Sequence, residues 1–243
     1  MNKPRISTII VIICILIIGL YAMGEVNYFS SKISVERNIE SPTVVIPSIG
    51  VQEKLNDVSL SQGVYVENLS SSPEGRDMVL FGHRTLQGSP FLRLNDVHEG
   101  DEILLEWPGV GELKYSVVGS TIVPGTSDVP HSENGSSIFL ITCDPIGSTE
   151  NRLIIEGNLV STNDINNEIL QSNPQESNAW YITIGFLALG LIFSILNPKE
   201  DRIYVIATVL IVTAILAYCC INPIPSELIY EKIIFLNGGQ SWV

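Results

Sequence analysis

The chain has 243 residues, 45% of them hydrophobic, and a formal net charge of −13 at pH 7. That acidity argues against nucleic acid and anionic lipid headgroups as partners, because both are gripped through Lys and Arg. The average hides a segregation: windows 6–23, 180–197 and 203–221 hold no Asp, Glu, Lys or Arg, and each approaches the roughly 20 residues that cross a hydrocarbon core.

Lys3 and Arg5 precede the first window, so the positive-inside bias puts residues 1–5 in the cytoplasm and makes 6–23 an uncleaved anchor. A cleaved signal peptide ending near Ala22-Met23-Gly24 is the rival reading. Residues 24–42 are polar and weakly patterned and read as a stalk, with room for a short helix. Short β-type runs at 44–47 and 49–51, split by Pro47 and Gly50, start a folded domain near Thr43. Residues 60–69 fit a helical turn or a strand, and 70–75 are turn-rich. The run 77–81, DMVLF, is a strand closed by Gly82 and leading into His83-Arg84-Thr85. The sequence SPFLRL at 89–94 places a serine cap and a proline at the first helical position, which predicts a short helix. Strands follow at 102–107 and 112–123, then a polar loop over 124–136. Apolar runs at 138–141 and 153–155 read as antiparallel neighbours joined by a loop that opens on Asp144-Pro145.

Short strands separated by turns, without long amphipathic helices, predict an all-β barrel or sandwich over 43–161. Residues 162–179 form a polar tether to the second span. Lys199 and Arg202 place the 198–202 loop in the cytoplasm, which makes the chain multi-pass, with the β-domain extracytoplasmic and the 222–243 tail external. The outward segment 24–179 carries eight Lys and Arg against 22 Asp and Glu, suited to standing off a negatively charged envelope or to simple solubility.

Three of the four cysteines, Cys14, Cys219 and Cys220, fall inside the apolar windows, leaving Cys143 as the single outward thiol. Without an intradomain partner it is either a reactive thiol or a buried structural one. If the two apolar runs pair, Cys143 faces Arg152, and a guanidinium there favours the thiolate. A thiol nucleophile also needs a base. Of three histidines, His83 projects from the end of a buried strand, His131 lies in the long loop as second choice, and His98 sits in a charged turn. No CxxC, no HExxH and no His pair at helical ligand spacing is present, so no metal or cofactor is expected. There is no G-x-S-x-G elbow for a serine hydrolase, and nothing positive favours a two-carboxylate glycosidase. Asn68-Leu69-Ser70 and Asn134-Gly135-Ser136 match the glycosylation sequon.

The runs VLFGHRT, PFLRL, EGDEILLE, YSVV, FLITCDPIG and NRLII, in that order between residues 44 and 160, resemble the sortases, membrane-anchored cysteine transpeptidases of cell surfaces. The resemblance is most specific where a strand ends in Thr-Cys, a proline-containing loop follows, and Arg enters the next strand. It implies a closed β-barrel of about eight strands with short helices, beside the three transmembrane helices. Carried over by residue, it implies Cys143 as nucleophile, His83 as general acid/base, Arg152 as the cation that orients substrate and stabilises the oxyanion, and Thr142 as a substrate-holding residue. It selects His83 over His131. The implied reaction cleaves an LPxTG-like C-terminal sorting motif of surface proteins through a thioacyl intermediate. An amine of the cell envelope or of another protein subunit then accepts the acyl group. A cysteine endopeptidase with water as acceptor, and a non-catalytic membrane-tethered β-domain, are the alternatives. Two features depart from many sortases: the two additional C-terminal spans, and the absence from 25–42 of the Asp-Pro-Trp lid motif of pilus-assembling members.

Overall fold

The structure, a computed structural model, describes residues 5–36, 41–133, 135–172, 174–175, 177–224, 229 and 232–233. Asn134 of the second sequon, residues 1–4 and most of the 222–243 tail lie outside them. The chain divides into two compact units, Val35–Pro174 and the combination of Met1–Ser34 with Gln175–Val243.

Eight strands build the first unit: β1 (Thr43–Ile46), β2 (Val51–Asn56), β3 (Val64–Val66), β4 (Met78–Phe81), β5 (Glu102–Trp107), β6 (Gly111–Pro124), β7 (Ser137–Asp144) and β8 (Asn151–Asn163). They close into a barrel in the order β1-β2-β3-β4-β7-β8-β6-β5. Pairs β2–β3 and β4–β7 are parallel and the remaining pairs antiparallel. The alternation seen in the sequence of β6 sets its faces: Leu113, Tyr115 and Val117 are buried, whereas Val118 is exposed. Val44, Ile46, Leu80, Phe91, Leu94, Ile103, Leu105, Ile138, Leu140 and Ile155 are fully buried in one core. Each such side chain contributes about 2 kcal/mol by leaving water.

The strand β7 is buried on both faces. Its inward residues Ile138 and Leu140 join the core, while Phe139 and Ile141, facing outward, form a second cluster with Ile154 and the partly buried Val79, Phe81 and Val123. The topology also demands a crossover next to this strand. Strands β6 and β7 both run antiparallel to β8, which lies between them, so the 125–136 connection must travel back along the length of β8. The interior is filled, so it passes over the outer face. Asp77, just before β4, pins this crossover by accepting from the Ser132 amide (2.6 Å), the Ser132 hydroxyl (2.5 Å) and the Ser137 amide (3.0 Å). Burial alone would raise the Asp77 carboxyl, but these hydrogen bonds outweigh it and hold the pKa below its ordinary value.

Three expectations need correction. Residues 89–94 are not an α-helix. Gln87 and Ser89 adopt left-handed conformations (φ 49° and 45°), so Ser89 cannot cap in the extended region. The chain continues in i→i−3 turns, Leu92 to Ser89 and Leu94 to Phe91, into a 3₁₀ turn at Leu94–Asp96. The 162–179 tether is partly ordered on the barrel: β8 runs to Asn163, and α2 (Asn167–Gln171) follows, capped by the Asn166 side chain. The Asn166 amide donates to Glu106 (2.9 Å), and Gln52 donates to the Ile169 carbonyl (3.2 Å) and the Ser172 hydroxyl (2.7 Å). The stalk, finally, continues the first helix. In the second unit α1 spans Ile6–Glu36 without a break at residue 24. Residues 60–69, left between helix and strand, form a 3₁₀ turn at Leu60–Gln62 and then β3.

Helices α1, α3 (Asn178–Ile195) and α4 (Arg202–Ile221) make up the second unit, and each is long and apolar enough to cross a membrane. Ile15 packs with Val205 and Val209, and Val26, Tyr28 and Phe29 cluster with Ala179, Val212, Leu216 and Cys219. A Cβ at Gly19 would stand 2.6 Å from Val212, and one at Gly190 would stand 2.7 Å from Val209, so small residues set the close approach of these helices. At one end the buried Asp201 accepts from the Thr8 hydroxyl (2.8 Å) and the Arg5 amide (3.3 Å), while the Arg5 guanidinium pairs with Glu200 (2.8 Å).

Candidate active site

Strands β4 and β7 run parallel with Phe81 opposite Ile141. Two residues further along each, on the same outward side, stand His83 and Cys143. The pairing persists past the formal end of β4, because the Gly82 amide donates to the Ile141 carbonyl (3.1 Å) and the Thr142 hydroxyl donates to the Gly82 carbonyl (2.7 Å). The returning β8 puts Arg152 opposite Cys143. The three residues therefore form one row across β4, β7 and β8. His131 and the exposed His98 stand elsewhere: His131 lies in the crossover loop near Asp77, toward the opposite end of β7.

Gly82 is fixed by packing. A Cβ there would meet the ring of the fully buried Phe91 at 2.5 Å. The Phe91 amide donates to the His83 carbonyl (3.1 Å), so the turn that carries Phe91 also holds the histidine backbone. His83 is only 6% exposed, and burial pushes its pKa down to about 4. Cys143 is half-buried. Burial pushes its thiol up; the Arg152 guanidinium, the backbone and Arg84 pull it down but leave it raised. At neutral pH the resting pair is thus a protonated thiol beside a neutral imidazole.

Thr142 is buried on the inward side of β7, where its hydroxyl is spent on Gly82, tying β7 to β4. Arg84, which the sequence reading passed over, lies directly below the row. It is 5% exposed, donates to the Cys143 carbonyl (3.1 Å) and Asn95 (2.6 Å), and forms an ion pair with Asp144 (2.6 Å). Its only sequence signal is adjacency to His83. Among the described residues no group of three His, Cys, Asp or Glu gathers as a metal site.

A family model described as the Sortase domain matches residues 38–160, just over half of the chain. The chain belongs to the sortase family. Its closed eight-stranded barrel is the sortase fold, and sortases are membrane-associated cysteine transpeptidases that anchor proteins at the cell surface. No curated protein matches the chain. Solved structures similar to it include sortase C1 of GBS pilus island 1 (24% identity, 51% of this chain and 66% of that one, TM-score 0.45). Sortase C-1 from Actinomyces oris is similar at 30% identity over 50% of this chain and 72% of that one, with a TM-score of 0.44. The Clostridium perfringens sortase C, solved with the C-terminal cell wall sorting motif, is similar at 25% identity over 49% and 69%, with a TM-score of 0.44. The chain thus spans just under two thirds of the first of these sortases.

Proposed function

We propose that this sortase cleaves a C-terminal sorting motif of LPxTG type in surface proteins and transfers the new acyl end to an amine of the cell envelope or of another protein subunit. The row of His83, Cys143 and Arg152 on one outward face carries the reading. With the proton resting on sulfur, the first step moves it to the neutral His83 as Cys143 Sγ attacks the peptide carbonyl carbon. Arg152 faces the oxygen that gains charge. A donor so placed lowers the barrier by about 3 kcal/mol. The C–N bond then breaks, the imidazolium gives its proton to the departing amine, and a thioester remains on Cys143. An incoming amine attacks that carbonyl, His83 takes the amine's excess proton, and as the C–S bond breaks the imidazolium returns that proton to Cys143 Sγ, restoring the resting pair. Thr142 serves by holding β7 against β4 so that the Cys143 backbone stays in register. The apolar helices anchor the barrel on the outer side of the membrane, with the α3–α4 turn in the cytoplasm.

The test is mass spectrometry of the detergent-solubilised chain incubated with sorting-motif peptides, with and without an added amine. A peptide adduct on Cys143 that is lost in Cys143→Ala, and an amine-linked product, are expected. Turnover that survives Cys143→Ala would overturn the nucleophile assignment. Hydrolysed product alone in the presence of amine would make the chain an endopeptidase.

A further inference from the structure

A polar network centred on Arg84 ties the segment that carries His83 to the end of β7 that carries Cys143. Arg84 is bonded covalently to His83, and its guanidinium reaches the Cys143 carbonyl at the end of β7, the Asp144 carboxylate that opens the 144–151 loop, and the Asn95 side chain. Asn95 in turn donates to Asp96 (2.7 Å), which also accepts from Arg93 (3.0 Å). These partners lie 11, 59 and 60 positions away in sequence and are brought to one guanidinium by the fold.

We propose that Arg84 is a positioning residue for transpeptidation, its guanidinium fixing the spacing between the His83 and Cys143 backbones and the entry of the 144–151 loop; this rests on the transpeptidase reading above. Two observations separate it from ordinary packing. A cation only 5% exposed is retained where it is paired and hydrogen-bonded on several sides, and here the pairing is with the residue after the nucleophile. The planar fork holds three acceptors in fixed directions, which a point-charge lysine cannot reproduce. The same charge lies close enough to Cys143 to favour its thiolate.

The experiment uses the full chain in detergent, with Arg84→Gln, Arg84→Lys and Asp144→Asn. Alkylation of Cys143 by iodoacetamide is followed across pH by mass spectrometry of the Cys143 peptide, and kcat and KM are measured for peptide-to-amine transfer per titrated active site. Arg84→Gln is expected to move the alkylation profile to higher pH and to lower kcat by about ten- to a hundredfold, as loss of near-attack geometry does, with KM changed far less. Arg84→Lys should restore the alkylation profile but not kcat, and Asp144→Asn should fall between Arg84→Gln and wild type in kcat. A folded Arg84→Gln chain with wild-type kcat per site and an unmoved alkylation profile overturns the proposal. If Arg84→Gln does not fold, an Asp144→Asn chain with unchanged kcat per site does so. Absence of transfer in the wild-type chain would instead defeat the transpeptidase reading, and the alkylation profiles would still decide whether Arg84 governs the thiol.

Discussion

A histidine held neutral by burial makes stability depend on pH in a definite direction. His83 titrates at about 4 in the fold and near its ordinary 6.5 when unfolded. Between those values the unfolded chain binds the extra proton. The stabilisation is therefore complete above 6.5 and is lost as pH falls toward 4, amounting to about 3 kcal/mol at most. Thermal unfolding of the solubilised chain at pH 7 and pH 4.5 should show a fall in Tm that is smaller in His83→Gln; an equal fall in both would refute the burial argument. At this scale the sequence was partly legible. Two apolar runs around a proline-containing loop were enough to set Cys143 opposite Arg152, because antiparallel neighbours joined by a loop have a local register. Choosing His83 over His131 needed the family resemblance, since β4 and β7 are parallel partners far apart in the chain. Arg84 was not legible at all: its partners are assembled by barrel closure, and nothing in the string His83-Arg84-Thr85 announces them.

Elements that pattern alone misread were those stabilised by a neighbour rather than by themselves. The 89–94 segment looked helical by its cap and proline but is held by the backbone of His83. The segment after β8 looked like free tether because it is polar, yet its amides and carbonyls are bonded to the barrel. The anchor of that segment carries a measurable cost. Glu106 is fully buried opposite Glu112 across β5 and β6, while Asn163 donates to Glu112 (2.8 Å). Burial, and then the neighbouring Glu112, push the Glu106 carboxyl up, against the opposing hydrogen bond from the Asn166 amide. A raised carboxyl gives stability that is complete at low pH and is lost as pH rises through its folded value. Glu106→Gln keeps an acceptor for Asn166 and removes the buried charge. It should therefore stabilise the chain by about 1 kcal/mol at pH 7, with the gain shrinking near pH 4. Differential scanning at the two pH values measures it, and destabilisation at pH 7 would show that the carboxylate itself holds α2 in place.

The whole molecule joins a barrel unit to a unit of apolar helices, and the orientation proposed for them is open to direct labelling. In a Cys143→Ala background, Lys199→Cys in the α3–α4 turn should react with a membrane-impermeant maleimide only after the cells are opened, whereas Val58→Cys, at a site 65% exposed on the barrel, should react in intact cells. Labelling of both in intact cells would reverse the placement of the turn. The positions of the three apolar helices were readable in advance from their lack of charged residues; the length of α1 was not, because the polar 24–36 stretch continues the helix past the apolar window. Closure of the barrel bears on how the proposed peptide substrate would be held. Every strand has a neighbour on each side over at least part of its length, so the closed barrel leaves only short stretches of strand edge for an incoming chain to extend. On the proposed transpeptidase reading, side-chain pockets and loop groups then carry more of the recognition of a sorting peptide than strand pairing does.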